Sequence, residues 1–299
     1  MLAGLLLALA GLGGHSQGAG TELVVGSEVD FPPFALGQPD AEPSGFTVEL
    51  WQAVAQQTGL RYRYRVRPFA ELLQEFREGR IDVLINLAQS PQRAQFAAFS
   101  VPHVVTHGAL FVRRGSPPHE SEQALRDRSI IVIASDLAED HARASGYRQL
   151  VPVRDVAQGM RLLAAGPHDG MLVSRLVGLQ TIKELGLRDI EPVSPPVHGI
   201  EQRFSFAVAR DRPELLALIN EGLAGVRASG RFEQIHETWL APLDPRPPTA
   251  AELLQFLWPA ALLLLVLSAL LLAQRRVIQA RTRAEDQQRD QRLVLERIV

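Results

Sequence analysis

Two histidines four residues apart form the pair in this sequence that most suggests chemistry. On a helix, His103 and His107 would share one face and could bind a metal ion. They flank Val104-Val105, a strand-like pair, where that spacing does not build a metal site, so none is expected. The chain has no cysteine, which excludes disulfides and thiol chemistry. It carries no nucleophile elbow, phosphate loop or dinucleotide fingerprint, so we expect a binding protein without cofactors rather than an enzyme.

Short apolar runs alternate with helical patterns between the two ends of the chain. Hydrophobic residues make up 46% of the sequence and the net charge is −2, which fits a folded protein and gives no field that attracts nucleic acid. Phe46, Leu50 and Val54 recur at helical spacing. The alternation predicts βαβ units, a largely parallel sheet and ligand binding at the carboxyl ends of strands. Strands are predicted at 23–25, 81–85, 109–112, 130–133, 171–173 and 204–208.

The first twenty residues have the pattern of a signal peptide. An uncharged apolar run, 2–12, precedes a small and polar stretch, 13–20, and Ala8-Leu9-Ala10 resembles a cleavage site. The basic segment that usually opens such a peptide is missing. We therefore expect residues 1–20 to direct export, with the main domain beginning at 21.

A second apolar segment predicts one membrane span near the carboxyl end. Residues 256–273 carry no charge. As a helix they would be about 27 Å long, close to the thickness of the hydrocarbon core of a bilayer. Arginines follow at 275, 276, 281 and 283, so the positive-inside rule places the preceding domain in the periplasm. A Pro-rich linker, 244–248, and the capping-box spacing of Thr249 and Glu252 predict a transmembrane helix over 250–273 in the inner membrane.

Residues 274–299 predict a cytoplasmic helix or a weak coiled coil. Apolar or small residues and two glutamines fall on a and d positions of about three heptads, which makes only a marginal coiled coil. A solvated charged helix fits the same pattern equally well. The segment therefore suggests a possible homodimer through the cytoplasmic helix.

Four stretches resemble the family 3 solute-binding proteins, which bind polar amino acids in the bacterial periplasm. In order along the chain they are 25–34 (VGSEVDFPPF), 45–50 (GFTVEL), 79–102 (GRIDVLI, SPQR and FSVP), and 220–240 (NEGL, GRF and WL). Each is a weak motif, while their order and spacing together are specific. The resemblance implies an α/β fold of two lobes, the periplasmic-binding-protein-like (type II) fold, with the ligand in the cleft. It divides 21–246 into lobe 1, about 21–113 and 203–243, and lobe 2, about 114–202.

The resemblance also implies the residues of a ligand site. Arg93 matches the arginine that clamps the ligand's carboxylate, and Ser90-Pro91 before it looks like the start of a helix whose dipole faces the same anion. Phe31 and Phe69 match aromatic walls of the cleft. The other candidate ligand-binding residues are Glu28, Asp30, Asn86, Ala88 and Ser174.

Two of these positions depart from the family pattern. Ala88 stands where a hydroxyl usually contacts the ligand, and Ser174 stands where an aspartate usually binds the ligand's α-ammonium. An ammonium buried without a counter-charge is costly. We therefore expect an anionic small-molecule ligand, a carboxylate without an α-ammonium, unless Glu28 or Asp30 supplies the missing charge.

Three functions remain open at this point. A binding domain followed by one membrane span and a cytoplasmic helix predicts the sensor part of a transmembrane signalling receptor. A membrane-tethered substrate-binding component of an amino-acid or organic-acid ABC transporter is the alternative. An enzyme on the same fold is the third.

Overall fold

The computed structural model describes residues 22–39, 41–116, 122–193, 200–243, 257–259, 261–276 and 278. The chain divides into two compact units, 1–244 and 245–299. The first unit holds the two-lobed α/β domain that the sequence predicts, and the second holds an apolar helix. The signal-peptide region, the Pro-rich linker and residues 279–299 lie outside the described residues, so their predictions stay predictions.

Lobe 1 is built around three parallel strands. Strand β1 pairs with β4 on one side and with β5 on the other. The predicted helical spacing is confirmed in α1, where Phe46, Leu50 and Val54 are buried, and the helix ends at Gly59, whose φ of 70° suits glycine. The elements of this part are β1 Leu23–Glu28, β2 Asp30–Phe31, β3 Ala35–Leu36, α1 Phe46–Thr58, β4 Tyr62–Arg67, α2 Phe69–Arg77, β5 Val83–Ala88 and β6 Ala97–Phe99.

Lobe 2 repeats this plan with β8 parallel to both β9 and β10. Helices α4 and α5 each begin directly after an aspartate that caps the helix, Asp136 and Asp155. The elements are α3 Glu122–Leu125, β8 Ser129–Ile133, α4 Leu137–Ala144, β9 Gln149–Val153, α5 Val156–Ala165, β10 Gly170–Ser174, α6 Arg175–Leu185 and β11 Ile190–Pro192.

Two long antiparallel strands, β7 Val104–Arg113 and β12 Glu201–Ala209, connect the lobes. Residues 104–107 of β7 pair with β12, whereas 108–111 pair with β10 of lobe 2. The strand therefore passes into lobe 2 at about Gly108, earlier than the boundary at 113 that the sequence suggested. The described sheet runs β4-β1-β5-β12-β7-β10-β8-β9 and is mixed rather than largely parallel, because these connecting strands return antiparallel.

Helices α7 Pro213–Ala228 and α8 Arg231–Trp239 complete lobe 1 by packing on α1. The core beneath them is aromatic, with Phe34, Phe46, Trp51 and Phe206 fully buried. Buried side chains of this size account for much of the stabilisation of a domain, at about 25 cal/mol for each Å² of apolar surface removed from water.

One helix in the described part of the chain is long and apolar enough to cross a membrane. This helix, α9 Leu257–Arg276, has 20 residues. A stretch of 18 residues within it has a mean hydropathy of 2.2 and is not buried by the rest of the described structure. A helix that is apolar all round and unburied in its own chain fits the predicted membrane span.

Candidate functional site

The predicted site lies where the two lobes meet, at the carboxyl ends of strands β1 and β5. The guanidinium of Arg93 bridges the lobes there. Its Nη1 donates to the carbonyl of Ala88 at the end of β5, 3.0 Å away, and its Nη2 donates to the carbonyl of Ser135 in lobe 2, 2.9 Å away. This is the edge of a parallel sheet at which α/β proteins bind ligands.

Arg93 is an interior residue, with only 2% of its surface exposed. The ring of Phe69 lies 5.3 Å from its guanidinium carbon, within cation–π range, and the carboxylate of Asp140 lies 3.7 Å from Nη2. Burial lowers the pKa of Arg93, while Asp136, Asp140 and Glu28 act in the opposite direction. The side chain therefore stays charged, held by carbonyls and carboxylates of its own chain.

The helix expected before Arg93 is only partly present. Ser90 does act as a cap, because its hydroxyl accepts from the backbone N–H of Arg93 at 3.2 Å. The helical turn after it is a three-residue 3-10 helix, Arg93–Gln95, because the chain then enters β6, which pairs with β12. A single short turn carries little helix dipole, so the predicted dipole contribution to anion binding is not supported.

Glu28 and Asn86 form a buried pair on the lobe 1 side of the site. The Asn86 amide donates to the Glu28 carboxyl at 3.0 Å. Burial raises the pKa of Glu28 to about 8, and the Asn86 hydrogen bond opposes this shift. At neutral pH Glu28 is therefore largely protonated, and either a donor or an acceptor can pair with it.

Asp30 makes a second direct contact between the lobes. Its carboxylate accepts from the backbone N–H of Ala157 in the first turn of α5, 2.9 Å away. Burial raises the pKa of Asp30, and the Ala157 bond lowers it. One oxygen of the carboxylate therefore joins the two lobes directly, and Asp30 also borders the pocket between them.

The two predicted aromatic walls lie in different settings. Phe31 is buried against Phe204, with ring centroids 5.7 Å apart, and belongs to the lobe 1 core. Phe69 is the ring beneath Arg93. The structure therefore brings Phe69 into the charged part of the site and connects Phe31 to the aromatic core behind it.

Strand register extends the site into the connecting strands. Phe204 pairs with Ala88, Gln202 pairs with Thr106, and Ser174 pairs with Gly108. Directly paired residues and residues two apart share a face, so Ala88, Phe204, Gln202 and Ser174 lie along one face. The Ser174 hydroxyl and both polar atoms of the Gln202 amide are buried without a hydrogen-bond partner among the described residues. Buried polar groups in proteins are nearly always hydrogen-bonded, so these atoms are candidates for hydrogen bonds to a solute.

Sequence reasoning did not identify Gln202 or Asp136. Asp136 is the N-cap of α4, accepts from the N–H of Ala138 at 3.2 Å, and is buried. Burial raises its pKa, and Arg93 is the largest opposing influence. An N-cap signal is visible in the sequence, but its burial near Arg93 depends on how the lobes meet.

The lobes are closed on each other in this structure. A small pocket that borders Glu28, Asp30, Phe69 and Asp155 has a volume of about 10 Å³. That is about the space of one water molecule. A solute larger than water can therefore occupy this pocket only after the lobes move apart.

The histidine pair behaves as the strand assignment predicts. His103 precedes β7 and is buried, its ring 4.7 Å from that of Phe206, whereas His107 lies in β7 and is exposed. In the ranges that the structure describes, no group of three histidine, cysteine or acidic side chains is placed to hold a metal ion.

Comparisons with known proteins agree with the two-lobed fold. A sequence profile described as bacterial extracellular solute-binding proteins, family 3, matches residues 23–242. A putative amino-acid ABC transporter-binding protein of Vibrio harveyi is 26% identical over 74% of this chain and 89% of its own length. The L-cystine-binding protein of Escherichia coli K12 is 26% identical over 73% of this chain and 82% of its own.

A solved structure adds a different context. The sensor domain of a histidine kinase with similarity to periplasmic binding proteins is 33% identical and superposes with a TM-score of 0.69. The match covers 74% of this chain and 96% of that domain. The chain is therefore similar both to solute-binding proteins and to the sensor domain of a histidine kinase.

Proposed function

The chain belongs to family 3 of the bacterial extracellular solute-binding proteins, and from this premise we propose that it senses a solute outside the cytoplasm. The solute is small and carries a carboxylate, and it is either amino-acid-like or an organic acid. The chain is the sensor part of a single-pass receptor in the inner membrane, with its two-lobed domain in the periplasm.

The observation that carries this proposal is the apolar helix α9, Leu257–Arg276, which follows the binding domain in the same chain. A protein that only carries solute to a permease does not need a helix of its own through the membrane. The 33% identity with a histidine kinase sensor domain supports the same function. The names of the relatives that bind amino acids or L-cystine support an amino-acid-like solute.

The signal arises from a shift between open and closed lobes. Arg93 and Asp30 each make a direct bond from lobe 1 to lobe 2. A solute that contacts both lobes adds its own bonds to these, and it shifts the population only by its differential affinity for the closed form. The movement of lobe 1 relative to lobe 2 then passes through the linker after α8 towards α9.

A membrane-tethered component of an ABC transporter is the second candidate, favoured by the names of two relatives. Its solute site would be the same, and only the downstream partner would differ. The relatives are solute-binding proteins rather than enzymes, so catalysis in the cleft has no support from them.

Because the sequence has no cysteine, a single introduced cysteine gives an unambiguous probe. We expect Ser229→Cys, exposed in lobe 1, to react with a membrane-impermeant maleimide in intact spheroplasts. We expect Arg283→Cys to react only after lysis. Labelling of both positions in intact spheroplasts, or of neither, would contradict the proposed topology.

Cross-linking of Ala284→Cys in the full-length chain separates receptor from transporter component. In a receptor, a mixture of standard L-amino acids and organic acids changes the rate of disulfide cross-linking between two copies. If the same mixture binds by calorimetry and leaves the cross-linking rate unchanged, the chain is a tethered transport component.

A further inference from the structure

Two glutamines lie close to the site, and they differ in the hydrogen bonds that their own chain provides. Gln89 follows β5, and its Nε2 donates to the Ser205 hydroxyl at 2.8 Å and to the Ser100 carbonyl at 3.4 Å. Gln202 in β12 is fully buried, yet neither polar atom of its amide has a partner in the part of the chain that the structure describes. An unpaired buried amide is costly, so we expect Gln202 to bind a group from outside this part of the chain.

Gln202 lies where the sheet narrows between the lobes. Strand β5 ends at Ala88, which pairs with Phe204, and the residues of β12 before Phe204 pair with β7. On the lobe 2 side, β10 ends at Ser174, which pairs with Gly108 of β7. Gln202 is therefore placed between the carboxyl ends of β5 and β10, the edges at which α/β sheets bind ligands.

The face of the sheet that carries Gln202 is uncharged around it. By strand register Thr106 and Ser174 share this face, and the Ser174 hydroxyl is likewise buried without a partner among the described ranges. The charged neighbours along the strand, Glu201 and Arg203, lie on the opposite, exposed face. Burying a charge against an uncharged face is costly, so a neutral polar group suits the position beside Gln202.

The chemistry of the amide identifies the kind of neutral group. A glutamine side chain presents N–H donors and a carbonyl acceptor side by side in one plane. A carboxamide of the solute satisfies both through two parallel hydrogen bonds. A carboxylate offers acceptors alone and leaves the Gln202 Oε1 unpaired, whereas an ammonium offers donors alone and leaves the Nε2 unpaired.

We propose that Gln202 is a specificity-determining residue whose amide pairs with a carboxamide of the solute. This inference rests on the proposed function and narrows its solute to a carboxylate that also carries a carboxamide, with or without an amino group. The carboxylate lies towards Arg93, whose Nη1 and Nη2 each keep a second N–H after bonding to the carbonyls of Ala88 and Ser135. Gln202 thus selects the other end of the solute.

The solute class is tested with matched trios of probes. Each trio keeps one carbon skeleton and varies the end group among a carboxamide, a carboxylate and a methyl ketone, which has the size of a carboxamide but no donor. Examples are succinamate, succinate and 4-oxopentanoate, or L-glutamine, L-glutamate and L-2-amino-5-oxohexanoate. In calorimetry of the full-length chain in detergent, we expect the best-binding carboxamide to bind at least roughly tenfold more tightly than both its partners.

The residue is tested with Gln202→Met, because methionine has a similar length and shape but neither the donor nor the acceptor of the amide. We expect the preference for the carboxamide over the methyl ketone to fall to within about twofold. The melting temperature without solute should stay the same or rise, because an apolar side chain replaces an unpaired buried amide.

Gln89→Met is the matched control, because it removes the same amide from the end of the neighbouring strand. The hydrogen bonds of Gln89 to Ser205 and Ser100 stay within lobe 1. We expect this variant to lower the melting temperature by about 2–4 °C and to keep the full preference for the carboxamide.

The outcomes separate this inference from the proposed function. If a carboxylate or a methyl ketone binds as tightly as its carboxamide partner, the inference is wrong while solute binding stands. If Gln202→Met keeps the preference, or if Gln89→Met loses it equally, Gln202 does not select the end group. If no member of any trio binds, the proposed function itself fails.

Discussion

Two regions of this domain bury ionisable groups, and they do so in opposite ways. Between the lobes, Arg93 and Glu28 are hydrogen-bonded, and charged groups from both lobes surround them. In the lobe 1 core, His103 is enclosed by aromatic rings, and neither ring nitrogen has a hydrogen-bond partner in the part of the chain that the structure describes.

The difference shows what burial alone implies. His103 is kept neutral by desolvation and acts as a core residue, because burial lowers its pKa to about 3 with little help from other charges. The interlobe groups influence one another, and their environment changes whenever the lobes open. Shifted pKa values indicate a functional site only where other charged groups lie nearby and where the surroundings can change, as they do between two moving lobes.

The largest expected effect comes from removing the buried guanidinium of Arg93, which bonds to both lobes. We expect Arg93→Ala to lower the free energy of unfolding by about 2–3 kcal/mol, because two buried carbonyl bonds are lost and Asp140 loses its ion-pair partner. Thermal unfolding of the full-length chain at pH 7 measures this. A residue that only contacts ligand would leave stability nearly unchanged.

Arg148→Ala is the matched control for that experiment. Arg148 pairs with Asp127 on the surface of lobe 2, with both side chains more than half exposed. Exposed pairs contribute little, so we expect a loss below about 0.5 kcal/mol. Equal losses in the two variants would mean that burial of Arg93 does not increase its contribution to the free energy of unfolding.

His103 is expected to make the domain sensitive to acid. Its pKa is about 3 in the folded chain and about 6.5 when unfolded, so the unfolded state binds the proton first. Stability is therefore full above pH 6.5 and falls between pH 6.5 and 3, by about 2 kcal/mol at pH 5. Unfolding followed from pH 7 to 4 measures this slope.

We expect His103→Leu to flatten that slope, because leucine fills the aromatic pocket without a titratable group. The exposed His107→Leu, four residues along, serves as the control and should keep the slope of the unmodified chain. If His103→Leu keeps the full acid sensitivity, the loss of stability arises elsewhere, and the interlobe carboxyl groups become the next place to look.

Glu28 gives the opposite pH dependence, with a smaller amplitude. Its folded pKa of about 8 lies above the unfolded value of 4.5, so its contribution is full below pH 4.5 and is lost as the pH rises through 8. Because opening of the lobes relieves part of the burial of Glu28, we expect the free energy of unfolding to fall by only about 1.4 kcal/mol, which corresponds to one pKa unit. Glu28→Gln should remove this loss in unfolding scans at pH 5 and 8.

The smallest expected effect concerns a single hydroxyl. The Ser174 Oγ has no partner among the described residues, so Ser174→Ala should leave stability within about 0.5 kcal/mol. If the solute is its partner, solute affinity falls roughly fivefold, the worth of about 1 kcal/mol. Thr181→Val, which removes another buried unpartnered hydroxyl from α6, should change neither quantity. Equal affinity losses in both would indicate an indirect effect.

Much of this architecture was predictable from local pattern. The buried positions of α1 follow directly from the helical spacing of Phe46, Leu50 and Val54, and the strands at 130–133 and 171–173 fall where the apolar runs predict them. The order and spacing of four short motifs indicated the two-lobed fold, which the family match over 23–242 confirms.

The limits of that reasoning lie where distant parts of the chain meet. The sequence placed Arg93 and Glu28 near a site, but it did not show that Arg93 bonds to Ser135, 42 residues away, or that Asp30 bonds to Ala157, 127 residues away. It identified the missing acid at Ser174 and not the carboxylate of Asp136 across the interface.

The sequence by itself determined the elements, the fold family and a helix suited to a membrane, because periodicity and hydropathy act over neighbouring residues. The tertiary structure decided which charges face each other across the lobes. Desolvation depends on everything that surrounds a group, and the surroundings of Asp136 and Glu28 exist only when the lobes close.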